Sequence, residues 1–132
     1  MCLLSGLMST CDSTRNNEQL TGVKWIIESL DGKKLGKTIS GNEIFIQFND
    51  AEKRVSGLAG CNRFFGGYEQ DGKKLKFSHM GATRMACPDM NTETSFFQML
   101  ENTDGYSIKD HILSLSGKGK VLATFKSSVS EE

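Results

Sequence analysis

The run Gly57-Leu58-Ala59-Gly60-Cys61-Asn62-Arg63-Phe64-Phe65-Gly66-Gly67-Tyr68 limits what this chain can fold into more than any other stretch. Four glycines, an Asn, a Cys, an Arg and three aromatics suit neither a helix nor a plain strand. Glycine reaches positive φ at no steric cost, and Asn is the next most tolerant residue. The run therefore predicts strand, sharp turn, strand, with Cys61-Asn62-Arg63 held at the turn. A second run, Thr83-Arg84-Met85-Ala86-Cys87-Pro88, again combines an Arg, a Cys and a residue that restricts the backbone. These two runs are the expected centre of the fold.

Around them the chain reads as short strands. Residues 23–30 are β-branched and aromatic and end at the turn signal Asp31-Gly32, with Trp25 as an expected core plug. Residues 43–48 form an apolar strand, 54–60 lead into the central turn and 67–70 leave it. Asp71-Gly72 signals a tight hairpin, and residues 73–78 place Leu75 and Phe77 on one face. Helical spacing occurs at residues 91–102, where Phe96, Phe97 and Leu100 form a stripe with Met99 at its edge. Asn91 or Thr92 is placed to cap that helix, and Glu93 sets a negative charge in its first turn. Strands return at 105–108, 111–115 and 120–125; in the last, Val121, Ala123 and Phe125 alternate toward one buried face. The sum is an α+β fold, mainly antiparallel β: seven or eight short strands in a curled sheet or partly open barrel. One helix is inserted before the last strands and covers or plugs an opening.

At 132 residues there is room for one domain, assigned here to residues 20–126, with a leader and polar tether at 1–19 and a polar tail at 127–132. Sixteen basic and sixteen acidic side chains cancel, which removes the electrostatic case for nucleic acid. No apolar run approaches the roughly 20 residues of a spanning helix. Residues 2–10 form a short apolar run ending in small residues before Cys11, the grammar of a bacterial lipoprotein signal with Cys11 as the acylated residue. The expectation is an exported, lipid-anchored protein of the bacterial cell envelope, monomeric and held at the membrane through Cys11.

With Cys2 and Cys11 in the leader, Cys61 and Cys87 remain in the domain. Their spacing is not that of a redox pair, and two cysteines with distant histidines are too few for a structural zinc site. In an exported protein the simplest use is a disulfide joining the two runs, a constraint that contributes about 3 kcal/mol through the unfolded chain. In a reducing compartment the same residues read as two buried thiols. A nucleophilic Cys61 needs a base, and neither His79 nor His111 stands in a catalytic context. Arg63 and Arg84 each flank one of these cysteines; together they suit a carboxylate or phosphate, or they pair internally with Glu93 or cap carbonyls of the turn. Phe64, Phe65, Tyr68, Phe96 and Phe97 are expected in the core, with an apolar space between helix and sheet as the alternative.

The runs Gly57-x-x-Gly60-Cys61-Asn62-Arg63-Phe64-Phe65-Gly66-x-Tyr68 and Thr83-Arg84-Met85-Ala86-Cys87-Pro88 resemble the two signatures of the META domain, or HslJ-like, family. Trp25, Glu93 and the Phe96, Phe97, Leu100 stripe fit the same pattern, and Gly67 stands where the family often has Ser or Thr. The resemblance implies a mostly antiparallel β fold similar to the cracked barrel of a secretion-pilot lipoprotein. It implies envelope or secreted proteins linked to heat shock, novobiocin resistance, motility or secretion, with Cys61 and Cys87 at the paired-cysteine positions. It implies no established enzymatic activity, cofactor or metal. The expected function is thus non-enzymatic: an envelope lipoprotein acting in stress tolerance or envelope assembly by binding a protein partner or apolar ligand in a groove at Phe96, Phe97 and Leu100. The alternative is a thiol-based enzyme or redox sensor using Cys61 and Cys87.

Overall fold

The computed structural model describes residues 19–35, 43–83 and 91–128. Residues 1–18, including Cys2 and Cys11, lie outside these, as do Arg84, Met85, Ala86, Cys87 and Pro88 of the second run. Nine strands and one helix occur among the described residues: β1 (Lys24–Leu30), β2 (Lys33–Lys34), β3 (Phe45–Asn49), β4 (Arg54–Leu58), β5 (Arg63–Asp71), β6 (Lys74–Ala82), α1 (Asn91–Asn102), β7 (Gly105–Lys109), β8 (Ile112–Gly117) and β9 (Lys120–Ser127).

All strand pairings are antiparallel, in the order β9-β8-β7-β6-β5-β4-β3-β1-β2, and β9 also pairs with β1. The sheet thus curls into a ring, with β2 an added flap on β1. Its closure is uneven. β9 and β1 pair from Ala123↔Leu30 to Ser127↔Trp25, whereas β6 and β7 share only Lys74↔Gly105. There the backbone bonds Leu75 N–H to Asp104 O (3.2 Å) and Tyr106 N–H to Lys73 O (3.0 Å) hold the seam.

Alternation decides what the ring encloses. Along β5, Phe64, Gly66 and Tyr68 turn inward and Arg63, Phe65 and Gly67 outward. Phe65 is consequently exposed rather than in the core, its ring lying over Gly81. Trp25 is 0% exposed and donates its indole N–H to Leu20 O at 3.0 Å, so its one polar atom is satisfied as it plugs the interior. The helix packs its buried face, Phe96, Met99 and Leu100, into the core of the ring. Phe96 packs against Phe64 of β5 (centroids 5.3 Å) and Phe125 of β9 (6.3 Å). Those two strands are separated by β8, β7 and β6 one way round and by β1, β3 and β4 the other, so one side chain spans the ring.

Several boundaries differ from the sequence reading, for local reasons. The strand leaving the central turn begins at Arg63, which pairs with Leu58, and not at Gly67. Val121 is 52% exposed: the β8–β9 register slips between Val121 and Ala123, so the alternation restarts there and only Ala123 and Phe125 are buried. β9 continues through Ser127, which pairs with Trp25, into the segment read as tail. On α1, Met99 is buried with Phe96 and Leu100, while Phe97 is only half-buried at the edge.

Candidate functional site

The first signature run folds as a turn between β4 and β5, closed by Ala59 N–H to Asn62 O at 3.0 Å. Its glycines act mostly by absence of a side chain. Gly60 has φ +148°, with Glu93 Cβ beside it, but Gly57 and Gly66 have ordinary strand backbones. A Cβ at Gly57 would collide with the carbonyl oxygen of Phe45, and one at Gly66 with the sulfur of Met80. Close approach, more than positive φ, explains glycine at those two positions.

Glu93, in the first turn of α1, reaches into this turn. One carboxylate oxygen accepts the N–H groups of Cys61 (3.1 Å) and Asn62 (2.9 Å), and the other accepts Asn62 Nδ2 (2.8 Å). Asn62 Oδ1 accepts the Thr83 hydroxyl at 2.9 Å, and the Thr83 oxygen accepts Arg63 N–H at 3.1 Å. Thr83 N–H returns to Arg63 O at 3.0 Å. The carboxylate thus bonds turn amides rather than Arg63, and Arg84, the other arginine read as its partner, lies outside the described residues. Glu93 is 4% exposed and Asn62 2%, so this is a buried carboxylate stabilised by convergent N–H donors. The network ties together the central turn, the end of β6 and the start of α1. Within the described part of the signature, the Asn62 side chain, the Thr83 hydroxyl and the amides of Cys61, Asn62 and Arg63 are therefore satisfied within this network.

Immediately along α1 the character changes. Thr94, Phe97, Gln98 and Glu101 fall at i, i+3, i+4 and i+7, one stripe of the helix. With Leu100 they form one wall of a cavity of about 590 Å³. The opposite wall is Phe77, Ser78, His79 and Met80 of β6. Of the groove residues read from sequence, Phe97 and Leu100 line this space, whereas Phe96 is sealed in the core. His79 sits at a β-bulge in the left-handed region (φ +53°), where His79 and Met80 together oppose Gly66. That bulge brings a titratable ring and a thioether to the groove rim. Sequence spacing marked Phe97 and Leu100 of the helical wall but not Thr94, Gln98 or Glu101; the β6 wall depends on a register slip that no local pattern announces. His111 lies elsewhere, in the β7–β8 turn. A second space, about 720 Å³, lies by the seam and is lined mainly by charged side chains including Glu69, Asp71, Lys74, Lys76 and Asp104. No group of three His, Cys, Asp or Glu able to hold a metal occurs among the described residues, and none of their helices is long and apolar enough to cross a membrane.

The family model of the META domain matches residues 18–129. Comparison with curated proteins finds no match. Among solved structures, a protein from Burkholderia xenovorans determined by NMR is 24% identical over 83% of each chain, with a TM-score of 0.66. A second protein determined by NMR is 26% identical, covering 82% of this chain and 91% of its own, with a TM-score of 0.65. A DUF4847 family protein from Bacteroides vulgatus is 16% identical, covering 81% and 93%, with a TM-score of 0.57. The first and third of these are likenesses of fold alone.

Proposed function

Because this chain belongs to the META domain family, whose signature here is bound up in its own hydrogen bonds, we propose that it is a non-enzymatic cell-envelope module. It binds a protein partner or an apolar ligand in the groove between α1 and β6, in stress tolerance or envelope assembly. The observation that carries this reading is the contrast of the two sites: the signature's polar groups converge on Glu93 and Asn62, while Phe97, Leu100, Phe77 and Met80 line an adjoining cavity. Acylation of Cys11 anchors the protein to the membrane at the exported face, as a monomer. A disulfide between Cys61 and Cys87 staples the two signature runs. Its support is that Thr83, which opens the second run, bonds to Asn62 and Arg63 and so brings the start of that run beside Cys61.

Intact-mass analysis of protein from its native envelope, alkylated with and without prior reduction, tests the anchor and the staple. A diacyl or triacyl chain beginning at Cys11, with Cys61 and Cys87 alkylated only after reduction, is the expected result. An unprocessed chain with reactive cysteines contradicts both and moves a thiol enzyme or redox sensor using Cys61 to first place.

A further inference from the structure

Beyond Lys74, the flank of β6 that turns away from β5 has no strand beside it among the described residues. Leu75 sends its N–H across that flank to Asp104 O. Backbone groups alternate sides along an antiparallel strand, so the N–H and C=O of Phe77 point the same way, and no described residue bonds them. The groove lies against this flank. Four consecutive residues, Phe77 to Met80, line it, running from the regular strand into the bulge at His79. Facing the edge across the groove are Phe97 and Leu100.

We propose that the groove takes an extended peptide, which adds to β6 as a further strand, seats alternate apolar side chains between Phe77 and Phe97, and places a basic residue at Glu101. This rests on the reading of the groove as a binding surface and names its ligand class. The edge selects the ligand's backbone. An apolar small molecule fills the volume but gives the Phe77 N–H and C=O, which bond no described residue, no main-chain partner, whereas an extended main chain bonds both. The charge selects the side chain. Counting His79 as neutral, Glu101 is the one formal charge among the described lining residues, and the last turn of α1 has no basic residue. That end of the groove is therefore negative, from the carboxylate and the helix C-terminus together.

The test uses a displayed library of random decapeptides selected on the purified full chain, on Glu101→Lys and on Phe97→Asp. The wild type is expected to enrich sequences that alternate apolar and polar residues and carry a Lys or Arg. N-methylation of the peptide amides that face β6 weakens binding about tenfold or more, as loss of main-chain pairing requires. Bound peptide perturbs the Phe77 amide in the NMR spectrum, and Glu101→Lys shifts the enriched residue from basic to acidic. Enriched peptides that ignore N-methylation, or none enriched above the Phe97→Asp background, overturn strand addition. Palmitate added alone separates the two readings. If it perturbs Phe97 while no peptide binds, the groove reading stands and the peptide proposal falls; if neither binds, both fall. Self-association that protects the Phe77 amide, with no peptide able to compete, makes the occupant a second copy of the chain and likewise overturns the proposal.

Discussion

Glu93 and Phe97 stand one helical turn apart on α1, about 6 Å along its axis. The carboxylate of Glu93 is buried and accepts three N–H bonds from the turn below it. The ring of Phe97 is half-buried, touches Phe64 and Phe96 edge-on, and fronts the groove. One helix therefore passes from a closed polar knot to the wall of an open groove within a turn. The strand it packs against makes the same passage. β6 is laddered along β5 and leads into Thr83, inside the knot, but among the described residues its other flank has no paired strand beyond Lys74. What looks in sequence like one functional motif is two neighbouring things: a fastening, and the surface that the fastening positions.

Substitutions separate the two, beginning with the residue that supports both. Phe96→Ala removes the side chain that spans the ring and is expected to lower stability by about 3–5 kcal/mol in urea denaturation. Glu93→Ala strands buried N–H donors of Cys61 and Asn62 and should cost about 3 kcal/mol. Glu93→Gln keeps one acceptor but sets an amide donor against Asn62 Nδ2, so about half that loss is expected. If Glu93→Ala unfolds no more easily than wild type, the knot is not a fastening and the comparison fails.

Tyr68 gives an effect of opposite sign. It is a signature residue and packs edge-on against Phe48 at 5.0 Å, yet its hydroxyl is buried with no hydrogen-bond partner among the described residues. Tyr68→Phe is expected to stabilise the protein by about 1 kcal/mol. Burial, foremost, raises the phenol's pKa above its ordinary 10.0, with Asp50 and Tyr106 adding to the rise and the Lys53 cation opposing it. The native chain then holds this proton to higher pH than the unfolded chain. The wild type therefore loses stability as pH climbs above 10, and the difference from Tyr68→Phe, read from urea midpoints, widens over that range. The smallest effects belong to the groove. Phe97→Ala should cost about 1 kcal/mol. Glu101→Lys should be neutral or gain a few tenths, since a cation suits a helix C-terminus. A large loss at either position would make the groove part of the core.

Much of this arrangement is readable from residues alone. The helix at residues 91–102, the hairpin at Asp71-Gly72, the buried Trp25 and the antiparallel, partly closed sheet all follow from periods and turn residues within a few positions of each other. The failures share a cause, since each depends on a register or contact that the fold sets and the local pattern does not. Val121 faces solvent because of a slip in β8–β9 register, and Phe65 does so because β5 starts at Arg63. Glu93 is identifiable as an acid in a first turn, but its partners among the described residues are turn amides about thirty residues earlier, which no local pattern names. Gly57 and Gly66 announce a turn when their necessity is the Phe45 carbonyl and the Met80 sulfur. Likewise, the β6 edge is invisible until the sheet order is known.

Amide hydrogen exchange of the wild-type chain, resolved by NMR, tests the contrast most directly. The Cys61 and Asn62 amides, bonded to a buried carboxylate, should exchange only with global unfolding, while the Phe77 amide exchanges orders of magnitude faster through local access. A Phe77 amide as slow as its neighbours that face β5, or Cys61 and Asn62 amides that exchange like a surface loop, would contradict the account.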